Sequence, residues 1–231
     1  MLYLIPTPLS ENRWQDSIPE SIIPLISGIR LFFVEDIRTA RRFLRKVDPA
    51  FPIDDSTFVL INEHNPLPDA AALKPLTDGV PSALLSEAGL PGVADPGQFL
   101  VAHCHARGIA VTPISGPNSI ILALAASGLN GQQFSFHGYL PKDKQDRKSA
   151  IDRICRECQH HGYTQIFIET PYRNTQLYTD LLAFVPDQLK LCIAVDITGP
   201  QERITCKPVK QWKQHTTSLP DKLPAVFLIG Q

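Results

Sequence analysis

Residues 84–97, LLSEAGLPGVADPG, drive an apolar run straight into Glu87, three glycines, two prolines and Asp95. A strand that ends in Ser86-Glu87-Ala88-Gly89 carries little side-chain bulk, so a ligand can come close to its backbone. The stretch has no lysine and its charges are negative, which removes a phosphate cradle from consideration. Carboxylates in such a loop suit ribose hydroxyls, an amino group or a positively charged sulfonium. The competing reading is a Gly-Pro turn whose two carboxylates are solvated.

Two basic clusters and one cysteine motif also carry chemistry. Arg38, Arg41, Arg42, Arg45 and Lys46 fall largely on one face if residues 38–47 are helical. Lys142, Lys144, Arg147 and Lys148 follow GYLP at 138–141. Such patches suit phosphate contacts, and Arg173 can join them; they also describe a solvated helix face and a mobile loop. Cys155-Arg-Glu-Cys158, followed by His160 and His161, points to metal or redox chemistry. A redox pair needs its first cysteine near a helix N-terminus, whereas this one sits inside a helix expected over 148–159. A structural zinc site needs four convergent ligands, and Cys104, between His103 and His105, offers no closure. Packed thiols beside solvated histidines are the better reading, and no metal is expected.

The elements that must position these groups alternate. β-rich runs at 2–7, 29–35, 57–61, 82–85 and 109–114 are separated by helical spacing at 17–27, 38–47, 70–76 and 98–107. Near-continuous apolar strands between helices imply a mainly parallel sheet covered on both faces. Ligands of such sheets sit beyond the carboxyl ends of the strands, which is where residues 86–97 fall. A second series follows SGPNS at 115–119. A helix over IILALAAS, capped by Asn118 or Ser119, stops at Gly128. Strands follow near 134–140, 165–169, 189–196, 204–209 and 225–229, and the alternation from Arg203 to Trp212 reads as a half-exposed strand. The fold class is α/β, with two α/β domains, 1–115 and 116–231; the first holds a mainly parallel sheet and the second a mixed one.

The totals limit the functions open to this chain. Its 231 residues are 43% hydrophobic, which suits one large domain or two small ones. A formal net charge of −1 excludes a general polyanion binder, so any nucleic-acid surface must be local. The five irregularly spaced cysteines read as reduced thiols. The start, MLYLIPTPLSENRW, lacks a basic region and is no signal peptide. The longest apolar run, 120–126, is too short to span a bilayer. A cytoplasmic protein with no membrane partner is expected. G-x-G-x-x-G, the P-loop, H-E-x-x-H and G-x-S-x-G are all absent, which removes the usual warrant for dinucleotide, P-loop, zinc-hydrolase and serine-hydrolase readings.

Several ordered segments carry a resemblance. SEAGLPGVADPG at 86–97 resembles the S-D-A-G-x-P-x-x-x-D-P-G signature of the tetrapyrrole methylase superfamily. IPTPL (5–9), VEDIRTARRFL (34–44), EHN (63–65), SGPNSIILALAASGL (115–129), FHGYLPKDKQDRK (136–148) and ETPYR (169–173) are similar to segments of its branch that 2′-O-methylates a ribose in small-subunit ribosomal RNA, in the same order. The resemblance implies a homodimeric, S-adenosylmethionine-dependent methyltransferase with its cofactor cleft between two domains. It implies cofactor contacts from Pro8, Ser86, Glu87, Ala88, Asn118 and Ser119. Glu169, Thr170, Ala194, Pro224 and Ala225 would complete them. Arg38, Lys142, Arg147, Lys148 and Arg173 are the candidate RNA contacts. The sequence departs from the branch at Glu87 (usually Asp), at Tyr172 (usually His), at Ser10-Glu11-Asn12 (a Gly-Asn step) and at 197–202, which lacks a lysine.

A ribose hydroxyl is a poor nucleophile near neutral pH, so a general base should assist it; His64, Glu87 and Glu169 are the candidates. Two alternatives accompany this reading: methylation of a small molecule such as a tetrapyrrole, and a non-catalytic S-adenosylmethionine-binding module.

Overall fold

A computed structural model describes residues 1–10, 14–214 and 222–231. Glu11 and Asn12 lie outside the described residues. The chain divides into two compact units, Met1–Asn118 and Ser119–Gln231.

Five parallel strands form the sheet of the first unit: β1 (Leu2–Ile5), β2 (Leu31–Val34), β3 (Thr57–Leu60), β4 (Ser82–Leu85) and β5 (Val111–Pro113), in the order β3-β2-β4-β1-β5. Its helices are α1 (Trp14–Ser17), α2 (Ile22–Ser27), α3 (Ile37–Val47), α4 (Ala70–Thr77) and α5 (Gln98–Ala106). Alternate strand residues feed two separate cores, as the period-2 geometry of a strand requires. Phe32, Val34, Ala83 and Leu85 pack with Ile22, Ile26, Phe43 and Leu44 of α2 and α3. Leu31, Phe33 and Leu84 pack with Leu73, Leu76, Leu100 and Cys104 of α4 and α5. Every residue of β2 and β4 is buried, which is why these strands, Ser82 apart, read as apolar runs. Asp36 and Asp69 cap α3 and α4 by accepting from the backbone N–H groups of Thr39 and Ala72. Of the helix expected over 17–27 only Ile22–Ser27 forms, α1 having ended at Ser17, because Pro19 disfavours helical backbone at Ile18 and has no N–H to give.

The second unit has a mixed sheet: β6 (Phe134–Tyr139), β7 (Thr164–Glu169), β8 (Lys190–Val195), β9 (Arg203–Pro208) and β10 (Ala225–Gly230), in the order β6-β7-β10-β8-β9. Only the β6–β7 pairing is parallel. Its helices are α6 (Ser119–Ser127), α7 (Lys144–His161), α8 (Asn174–Phe184) and α9 (Val209–Gln214). Leu177 and Leu181 of α8, which the periodicity reading missed, join Ile151, Ile154, Phe167 and Phe227 in the core. The strand expected to continue to Trp212 stops at Pro208. Beyond it the N–H groups of Val209 and Lys210 turn back to Leu189 O and Asp187 O, and Trp212 Nε1 donates to Leu191 O.

Cys155 and Cys158 are buried on α7, while His160 and His161 are exposed. Among the described residues, no three or more His, Cys, Asp or Glu side chains gather as a metal site requires, and no helix is long and apolar enough to cross a membrane.

Candidate functional site

The strand order of the first unit sets its chemistry. β3, β2 and β4 are neighbours with a common direction, so their carboxyl ends deliver Glu63, Glu35 and Glu87 to one edge of the sheet, with Asp95 added by the loop after β4. Glu35, which immediately follows the buried strand β2, was not among the candidates read from the sequence. One of its oxygens accepts from the backbone N–H of Glu87. Oε2 is buried with no hydrogen-bond partner. Burial, then the charges of Asp95, Glu87 and Glu63, push the Glu35 carboxyl up from 4.5 to about 7. Burial and the Glu87 charge likewise raise Asp95 from 3.8 to about 6, against a hydrogen bond with Ser86. Two carboxyls so perturbed make this strand-end loop the candidate functional site.

The loop is built to hold this shape. Thr7 and Gly89 exchange backbone hydrogen bonds at 3.0 Å. Thr7 Oγ1 donates to Ser86 O, and Ser86 Oγ donates to Gly89 O, each at 3.3 Å. Gly97 has φ +138°, and a Cβ there would come within 2.6 Å of Leu84 Cδ2. Pro8, Ser86 and Glu87 line a small cavity with Thr7, Thr39, Arg42 and Lys46. A cleft of about 590 Å³ is bordered by Asn62, Glu63, Gly92, Asp95 and Phe99. Glu87 and Ala88 are exposed; Ser86 and Asn118 are buried. A sulfonium-bearing nucleoside fits this arrangement. The unpartnered Glu35 oxygen and the mutually repelling carboxylates gain from a cation and from hydroxyl donors, and Gly92 and Ala94 keep the cleft wall low.

In the second unit, register brings the other candidate cofactor contacts to one end of the sheet. Ala225, at the start of β10, lies opposite Glu169 on β7 and Val195 on β8, and Val226 lies opposite Ala194. The backbone N–H of Asp196 donates to Pro224 O at 2.9 Å. Ala194 and Ala225 are buried, Pro224 is exposed, and Ser119 opens α6. The turn after β8 closes on itself: Asp196 accepts from Gln201 N–H, and Glu202 accepts from Thr198 N–H.

Three of the candidate residues are engaged by partners within the second unit. Arg147 is not an exposed phosphate contact. It is 4% exposed, its Nε donates to Asp180 at 2.8 Å, and Nη1 donates to Pro141 O and Lys142 O. It clamps the 141–142 turn to α8. Glu169 is poorly placed to take a proton, because its carboxylate accepts from Thr170 N–H and Oγ1 and pairs with Arg173 Nη2 at 2.8 Å. Arg173 is thereby committed to the end of β7, its side chain 19% exposed. Lys142 and Lys144 are exposed; Lys148 pairs with Asp152 and lies over Phe184. Arg38 is exposed beside a cleft lined by Asp36, Ile37, Arg41 and Leu60. His64 is exposed in a turn in which Asn62 Oδ1 accepts its backbone N–H. Tyr172 is 76% exposed.

Comparison with known proteins adds independent findings. The family described as Tetrapyrrole (Corrin/Porphyrin) Methylases matches residues 29–212. A protein of Vibrio cholerae named Ribosomal RNA small subunit methyltransferase I is 32% identical over 91% of this chain and 69% of its own. Its namesake in Haemophilus influenzae is 30% identical over 96% of this chain and 75% of its own. The crystal structure of the methyltransferase CobJ superposes with a TM-score of 0.62 at 15% identity, covering all of this chain and 93% of that one; this likeness concerns the fold.

Proposed function

The chain belongs to the tetrapyrrole (corrin/porphyrin) methylases, and from that membership we propose that it transfers a methyl group from S-adenosylmethionine to a ribose 2′-hydroxyl of small-subunit ribosomal RNA. The class of reaction and the cofactor follow from the family; the acceptor is the proposal. The observation that carries it is likeness to relatives named as small-subunit ribosomal RNA methyltransferases along about nine-tenths of the chain.

When bound, the donor supplies a methyl carbon made electrophilic by its sulfonium. In our reading, the unit-1 carboxylates Glu35, Glu87 and Asp95 attract its positive charge and accept from its hydroxyl or amino groups. Pro8, Ser86, Ala88 and Asn118 shape the surface around it. Ser119, Thr170, Ala194, Pro224 and Ala225 contribute short side chains and strand-end backbone, and the Arg173–Glu169 pair keeps the end of β7 in place. Glu87 and His64 remain exposed and are the groups free to take the hydroxyl proton. Arg38, Lys142 and Lys144 contact RNA phosphates. A cytoplasmic homodimer, supported by the resemblance, completes the proposal.

The test is methylation of small ribosomal subunits from a strain lacking the gene, by purified protein with labelled donor. Label on a ribose oxygen is expected. Label on a base, or none on RNA but transfer to a tetrapyrrole, would overturn the acceptor assignment and leave the family assignment intact. Donor binding without turnover on either class would favour a binding module.

A further inference from the structure

Cys192 on β8 and Cys206 on β9 stand directly opposite each other in the antiparallel ladder. The backbone settles which kind of pair they form. Val209 N–H donates to Leu189 O at 2.9 Å, so the odd-numbered residues of β8 turn their backbone groups toward β9; counting in twos, Leu191/Lys207 and Ile193/Thr205 are the hydrogen-bonded pairs. Asp196 N–H donates to Pro224 O, so the even-numbered residues of β8 turn their backbone groups toward β10. Pro208, which has no N–H, faces Lys190 in the same class as the cysteines. Cys192 and Cys206 are therefore a non-hydrogen-bonded pair, with Cα atoms about 4.5 Å apart, at the near end of the range of about 4.4–6.8 Å that a disulfide spans. Both side chains lie on the sheet face away from Leu191 and Ile193, and the two thiols share a hydrogen bond.

The two sulfurs differ in character. Cys206 is partly exposed. A hydrogen bond from the Cys192 thiol, helped by the Lys190 ammonium, lowers its pKa against the opposing effect of burial. Cys192 is buried, and its proton is held by the Cys206 sulfur and by burial. Cys104, Cys155 and Cys158 are buried and pushed upward by that burial. A thiolate with access to solvent is the reactive form, so Cys206 is the attacking sulfur and Cys192 the resolving one.

We propose that Cys192 and Cys206 are a hydroperoxide-reactive thiol pair that closes to a disulfide between β8 and β9. The Cys206 thiolate attacks a peroxide oxygen, the O–O bond breaks, and a sulfenic acid forms as hydroxide leaves. The Cys192 sulfur then displaces the sulfenic hydroxyl; the S–S bond forms, and the Cys192 proton leaves with that hydroxyl as water. Together the two thiols lose two protons and two electrons, and hydrogen peroxide is reduced to two waters. Ala194 lies two residues beyond Cys192 in the same side-chain row, so closure acts on the strand that carries one of the proposed donor contacts.

The full-length reduced protein, freed of reductant, is treated with a few equivalents of hydrogen peroxide, alkylated and digested. A linked peptide pair containing Cys192 and Cys206, two hydrogens lighter than the reduced peptides, is expected, with two of the five cysteines protected from alkylation until dithiothreitol is added. Cys192→Ser protein should instead accumulate a Cys206 sulfenic acid that dimedone traps, a readout that does not depend on Cys206→Ser folding. A linked pair involving other cysteines, five freely alkylated thiols after peroxide, or Cys206 carried to sulfinic acid without a cross-link overturns the proposal.

Discussion

Replacing Glu35 by glutamine tests the electrostatics of the unit-1 strand ends directly. The substitution keeps an oxygen to accept from Glu87 N–H and removes the charge that burial, Asp95, Glu87 and Glu63 oppose. Because the folded-state carboxyl titrates at about 7 rather than 4.5, the folded protein holds a proton that the unfolded chain releases. Below about 4.5 both states are protonated and the site costs nothing. As pH rises through about 7, stability is lost. A wholly buried carboxyl shifted this far would cost about 3 kcal/mol when ionised; solvent screening of this partly exposed side chain lowers that to about 1–2 kcal/mol. Asp95 acts in the same direction at lower pH, rising from 3.8 to about 6.

Urea unfolding of wild type and Glu35→Gln at pH 4.5 and pH 8 reads this out. The variant should gain about 1–2 kcal/mol at pH 8 and close to nothing at pH 4.5. Equal effects at the two pH values, or a loss at pH 8, would refute the reasoning. Calorimetry with S-adenosylmethionine supplies the other half. A cation beside ionised carboxylates is held by roughly 1 kcal/mol or more, so the variant should bind about five- to tenfold more weakly. Wild-type binding near pH 6.5 should release protons, visible as a dependence of the binding heat on the buffer, and Glu35→Gln should shrink that release.

Arg147→Ala leaves Asp180 buried without its partner and should cost about 3–5 kcal/mol in chemical denaturation, a loss that a mere phosphate contact would not show. The double variant Lys142→Ala/Lys144→Ala removes two exposed charges; it should keep wild-type stability while the slope of log affinity against log salt for RNA falls by about 1–2. Gly97→Ala forces a side chain onto backbone at φ +138° and into Leu84; a loss of about 1–3 kcal/mol in urea unfolding is expected.

The parallel sheet was legible because β2 and β4 are buried along their whole length and, apart from Ser82, carry only apolar residues. α9 was not. Alternation persists through Pro208, and what ends the strand is a proline without an N–H followed by Val209 and Lys210 turning back to the segment before β8. α8 was missed for a different reason: it follows a short 3-10 turn at Pro171–Arg173 and has no side-chain cap to announce it. That omission propagated. The partner that buries Arg147 is Asp180 on α8, 33 residues away, and without α8 a basic residue after GYLP reads as solvated. Burial of a charge is decided by what faces it, and sequence spacing does not show that.

The same limit applies to Glu35 in the opposite sense. A glutamate at the end of an apolar strand is ordinary, and only the order β3-β2-β4 makes Glu35 the neighbour of Glu87, some fifty residues on. A fold selected for stability alone would have no reason to gather Glu87 and Glu63 beside Glu35 and Asp95 at one end of the sheet, since burial and the neighbouring charges work against ionisation of Glu35 and Asp95. Such a cost persists where function requires it, and a positively charged ligand offsets it on arrival. The carboxylates that destabilise the free protein are then the ones that select a sulfonium over its neutral demethylated product. On that account Glu35→Gln should narrow the affinity gap between S-adenosylmethionine and S-adenosylhomocysteine while stabilising the fold. An unchanged gap would assign the cluster to something other than the donor's charge.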